Sequence, residues 1–206
     1  MGLFDFFRRP SPIRDVAAFA EFIDGNAAFL VQKGIYEYAR ARAGHYSKVL
    51  LAEEGFLKAV EQARWQAYPL GLAMVGEMAE GLLRPSAGDG RRALVDTIGA
   101  VVLDVFDSYP LPSVPGGRVA WQDRRVELAR RLNLIGAHAR KPVKDIPEPY
   151  VQAYFDLMPI YERLRAPDFQ AIRNYLRVGL INIHDVLSDR LDVPAVLADL
   201  LKQRPE

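Results

Sequence analysis

The adjacent pair His184-Asp185 is the most chemically suggestive feature of the sequence. An imidazole and a carboxylate side by side on a helix can both reach one divalent cation, as metal-assisted phosphoester hydrolysis requires. Such a site also needs a histidine upstream and an acid downstream, on other helices. His45 and His138 are available upstream, but Asp189, Asp192 and Asp199 lie close behind, with only 21 residues after Asp185. His184 and Asp185 are therefore the candidate catalytic pair of a hydrolase, with Arg173 or Arg177 one to three turns back on the same helix. The plainer alternative is that His184 borders an apolar stripe and bonds a neighbour while Asp185 faces water.

Other chemistries meet firmer objections. The chain has no cysteine, which removes disulfides, thiolate metal sites and Cys nucleophiles together and suits a reducing, cytoplasmic compartment. The residues three before the three histidines are Arg42, Ile135 and Ile181, so the Glu-x-x-His pattern of carboxylate-bridged metal bundles is missing. There is no Gly-x-Ser-x-Gly elbow, and Gly88-Asp89-Gly90-Arg91-Arg92 lacks the Lys-Ser/Thr ending of a phosphate loop. No metal and no cofactor are expected.

Two surfaces invite partners. Cations mix with aromatics from Lys33 to Lys48, and arginines and lysines recur from Arg124 to Lys144. Interleaved acids (Glu37 in the first, Asp123 and Glu127 in the second) stand at pairing distance along a helix, and the net charge is +1, so nucleic-acid binding through these basic faces is only a third alternative. The N-terminal segment 1–10 is different. Leu3, Phe4, Phe6 and Phe7 precede any capped helix and are followed by Arg8 and Arg9. Four large apolar groups must be buried in the domain, docked on a protein partner or inserted at a membrane surface with both arginines near lipid phosphates. The arginines follow the apolar stretch and no small-residue cleavage site is present, so a signal peptide is not expected.

The elements that position these groups read as helices throughout. Ser11-Pro12 opens a first helix, with Val16, Phe19, Ala20 and Ile23 on one face, and Asp24-Gly25-Asn26 predicts its end. A second runs from about Ala27 to Ala43, weakened at Gly34. A third starts at Glu53-Glu54 and keeps the helical period to Leu82, with a kink or a junction expected at Pro69. Others span about 89–108 and 118–135. Another runs from Glu148 to Leu164 with an interruption at Pro159, followed by a long one from Pro167-Asp168 and a short one capped by Asp192. Pro/Gly-rich breaks fall at 110–117 and 136–149, and no stretch alternates like a strand. The expectation is an all-α, irregular bundle of about eight or nine helices, two of them Pro-interrupted, forming one domain over 1–206.

The stretches FRRPSPIRDVAAFAEFIDGNAAFLVQKGIYEYARARAGHYSKVL, DIPEPYVQAYFDLMPIYERLRAPDF and RNYLRVGLINIHDVLSDRLD resemble a family of short, uncharacterised α-proteobacterial helical proteins. Its members sometimes carry an esterase label, which the missing nucleophile elbow does not support. The opening phenylalanines and Ile35-Tyr36 are also similar to those of ubiquinol–cytochrome c chaperones, helical assembly factors that bind a client at a membrane; that likeness fades after the first third. Neither resemblance supplies catalytic residues. The leading expectation is a non-catalytic binding or assembly factor that takes a protein partner or apolar ligand in a groove between helices. Phe4, Phe6, Phe7, Arg8 and Arg9 add a contact to a partner or to the inner face of the membrane. Deleting residues 2–7 should then lower retention on anionic vesicles or on a partner in co-sedimentation, and undiminished retention would remove these residues from the binding surface.

Overall fold

The computed structural model describes residues 11–202, so the N-terminal cluster Phe4, Phe6, Phe7, Arg8 and Arg9 lies outside the described residues. Within them the chain is all-α. Seven α-helices have ten residues or more: α1 Val16–Ala28, α2 Gly34–Ala43, α3 Glu54–Leu83, α4 Arg91–Asp107, α5 Gly117–Ile135, α6 Phe169–Arg190 and α7 Val193–Lys202. That corrects the expected eight or nine. The stretch from Glu148 to Leu164 accounts for part of the difference, because it forms only a short helix, Val151–Asp156, and a single turn, Glu162–Arg165. Pro159 has no N–H to donate and forces the residue before it out of helical geometry. Arg165 spans the resulting bend by donating to the carbonyls of Asp156 (3.1 Å) and Met158 (2.9 Å).

The predicted end at Asp24-Gly25-Asn26 is overturned. The helix runs through these residues, passes into a π turn at Phe29–Lys33 and continues as α2 until Gly44, whose φ of 52° stops it. Residues that make turns do so by bonding nearby backbone in non-helical conformations, and here those side chains take partners that a continuous helix allows. Asn26 Nδ2 donates one turn back to Phe22 O (2.8 Å). The Asp24 carboxylate accepts from the hydroxyls of Tyr68 (2.6 Å) and Tyr109 (2.8 and 2.9 Å). The start is also later than expected. Asp15, not Ser11, caps α1, accepting from Ala18 N at 2.8 Å, while Ile13 makes a lone parallel bridge to Leu191.

At the π turn the hydrogen-bond register slips by one residue and carbonyls turn away from their usual partners. Two tyrosines meet them. Tyr175 Oη, from α6, donates to Leu30 O (3.0 Å), and Tyr154 Oη donates to Val31 O (2.9 Å). Gly34 makes room for both: a Cβ there would lie 2.5 Å from Tyr154 Oη and 2.6 Å from Tyr175 Cε1. The glycine that weakens α2 in sequence is thus a close-approach position.

The central helix α3 is enclosed by α1, α4, α5 and α6. From Ala67 to Leu83 nearly every residue is buried, and Gly71 lets α1 approach until a Cβ would stand 2.8 Å from Ala27 O. Pro69 does not divide it. The proline removes the donor that would serve the carbonyl of Trp65; one residue further on, the Arg124 guanidinium of α5 binds Gln66, 2.7 Å from its Oε1 and 3.5 Å from its carbonyl. Buried residues of all seven helices belong to one hydrophobic cluster.

Gly34→Ala should destabilise the protein by about 2–3 kcal/mol in urea unfolding, because two anchored hydroxyls would have to move or lose their acceptors. Gly25→Ala, with open space around its Cβ, should be neutral or stabilising by up to about 1 kcal/mol. Equal effects at the two positions would show that the tyrosine contacts do not constrain the π turn.

Candidate functional site

His184 and Asp185 both lie on α6, with His184 Nδ1 3.2 Å from Asp185 Oδ1. The other ring nitrogen, Nε2, is buried without a hydrogen-bond partner. Arg173 and Arg177 turn to Glu148 instead, at 2.9 and 3.7 Å. His45 is exposed on the turn after α2, and His138 lies in the 136–149 break, 3.6 Å from Glu77. Among the described residues no three His, Asp or Glu side chains gather as metal ligands would. The basic stretches are largely engaged within the chain: Arg40 with Glu37, Arg42 with Asp168, Arg125 with Asp107, and Arg130 and Arg131 with Glu127.

An open inter-helix groove of about 360 Å³ lies between α3 and α5. Its floor is Pro69 and Leu70 from α3 with Ala120 and Leu128 from α5; its walls are Gln66, Asp123, Arg124, Glu127 and Arg131. On α5 these residues recur at spacings of three and four and so share one helix face. Pro69 matters here because its ring replaces a backbone N–H with apolar surface.

The polar wall is electrostatically set. Glu127 accepts from Arg130 and Arg131, each at 2.7 Å. The Arg130 hydrogen bond, reinforced by the Arg131 charge and opposed by partial burial, pushes its carboxyl down to about 2. Arg131 also lies over the Tyr150 ring, 4.7 Å from its centroid. Burial, aided by the negative charge of Glu77, pushes the Tyr150 hydroxyl up to about 12. Arg124 is half-buried, and burial lowers its pKa. Carboxylates held between arginines and phenols that keep their protons are suited to fixed positioning rather than to proton transfer at neutral pH.

Behind Tyr150 is a cluster that the sequence reading passed over. Glu77 and Glu80 are the buried charged residues of the described core, on the α3 face toward the 136–149 break. Arg84 donates to both carboxylate oxygens of Glu80, at 2.7 to 3.0 Å, and to the carbonyls of Ile135 and His138. Lys141 Nζ reaches Glu77 at 2.7 Å, and Arg91 donates to the carbonyls of Gly136 and His138. The cluster ties a segment without long helices to the central helix. Its sequence signal was available: two acids interrupt the apolar run from Leu70 to Leu83.

No family model, curated protein or solved structure matches the chain. Among the described residues no helix is long and apolar enough to cross a membrane.

Arg84→Met would strand the Glu80 carboxylate, 1% exposed, and should cost about 3–5 kcal/mol. Adding Glu80→Gln should recover a large part of that loss, since the stranded charge is then gone. A double-mutant cycle in urea measures the coupling, and strictly additive losses would show that the pair does not act as a unit.

Proposed function

We propose that the chain is a non-catalytic helical binding or assembly factor that seats an apolar segment of a protein partner in the groove between α3 and α5. The observation that carries this reading is the groove's construction. An apolar floor of Pro69, Leu70, Ala120 and Leu128 is framed by a wall in which Glu127 and Arg131 are already paired within the chain and Asp123 is not. A partner covering such a floor gains apolar burial without having to desolvate an unpaired carboxylate at Glu127. At about 360 Å³ the groove accepts a few side chains, consistent with the knob of an amphipathic helix. Such a factor would work in the cytoplasm, with the N-terminal phenylalanines and Arg8 and Arg9 supplying a second contact to the partner or to the inner face of the membrane.

Ala120→Trp tests the groove by filling it. The variant should keep its helical circular dichroism and lose at least tenfold in affinity for an apolar anionic dye such as anilinonaphthalene sulfonate and for any partner recovered from native lysate. Wild-type binding by a folded Ala120→Trp protein would move the binding surface away from this groove.

A further inference from the structure

Beside the groove, the outer face of α5 carries an apolar stripe that no other element of the described chain covers. Val119 is 72% exposed, Val126 59% and Leu134 47%. At 3.6 residues per turn, Val119, Asp123, Val126, Arg130 and Leu134 fall within an arc of about 80° and extend about 22 Å along the helix. The order along the stripe is apolar, acid, apolar, base, apolar.

That order is self-complementary under a two-fold axis. When a second α5 is laid antiparallel with the axis between residues 126 and 127, Val119 faces Leu134 of the copy and Asp123 faces Arg130. In that register Val126 lies opposite Glu127 of the copy, one residue off its own equivalent across the axis. A two-fold interface uses the same patch on both partners, so each favourable pair occurs twice. Arg130 already holds Glu127 at 2.7 and 2.8 Å, and a guanidinium has donors enough for a second carboxylate. The carboxylate nearest the axis, Glu127, is neutralised by Arg130 and Arg131 in its own chain, so two copies meet there without bare like charges.

We infer that this face of α5 is a homotypic interface, pairing two copies of the chain as antiparallel helices through Val119, Asp123, Val126, Arg130 and Leu134. One helix pair is small beside the roughly 1,200–2,000 Å² of stable interfaces, which makes the association weak and concentration-dependent. The pairing is separate from the ligand groove, although Asp123 borders both.

Sedimentation velocity on the full chain, from about 1 to 500 μM, reads the association directly. The wild type should shift from monomer to dimer across that range. Val126→Glu, at an exposed position, should keep the fold and remain monomeric throughout. Asp123→Arg and Arg130→Asp should each weaken the dimer at least tenfold alone by opposing like charges. An equimolar mixture of those two variants should recover it, because each then meets its complement. A wild type monomeric at every concentration would overturn the proposal, as would a dimer indifferent to Val126→Glu. Failure of the charge-swapped mixture to recover association would overturn it too, and that arm does not depend on how Val126→Glu folds.

Discussion

Two phenolic hydroxyls on the backbone of one irregular turn hold the arrangement of helices together. A π turn is stabilised where its displaced carbonyls find other donors, since a buried unpaired acceptor costs about 1–3 kcal/mol. Tyr154 and Tyr175 meet Val31 O and Leu30 O from two different parts of the chain. Because the donors come from the segment before Pro159 and from α6, satisfying the turn also fixes how the C-terminal third packs on the first helix. Gly34 is the geometric condition for that contact.

A second polar anchor works by the same logic at the opposite side of α3. Glu80 is stable in the core only because Arg84 pairs with it and spends its remaining donors on the carbonyls of the 136–149 break. A third, where Asp24 gathers Tyr68 and Tyr109, lies next to an aromatic cluster. There Trp65 packs edge-on to both tyrosines and to Trp121, and Trp121 stacks on Phe106 at 4.3 Å. Each anchor joins segments far apart in sequence through a buried group that must be satisfied, so each restricts the packing more sharply than apolar contact does.

The α3–α5 groove follows from these constraints. Pro69 is compatible with a continuous α3, and Arg124 from α5 bonds Gln66 next to it. The two helices are thereby coupled at one end of the groove by that contact. At the other end Arg131 over Tyr150 connects the wall to the Glu77 cluster. The groove-lining face and the exposed apolar stripe of α5 are adjacent sectors of one helix.

Periodicity and punctuation in the sequence determined the helical class, the faces of α3, α5 and α6, the Asp192 cap and the breaks at 110–117 and 136–149, because these depend on residues within a turn or two of one another. The same local signals misplaced the end of α1, since Asp24 and Asn26 are turn formers unless distant or helical acceptors and donors claim them. They also marked Gly34 as a weakness, where its missing side chain admits two tyrosines. His184-Asp185 stood out because the pair is contiguous; the Glu77, Glu80 and Arg84 cluster did not, because beyond the local Glu80–Arg84 pair the groups that complete it, Lys141 and the carbonyls of Ile135 and His138, lie more than fifty residues away. Only the tertiary structure could decide which buried polar groups meet, since that depends on distances between segments that no local spacing records.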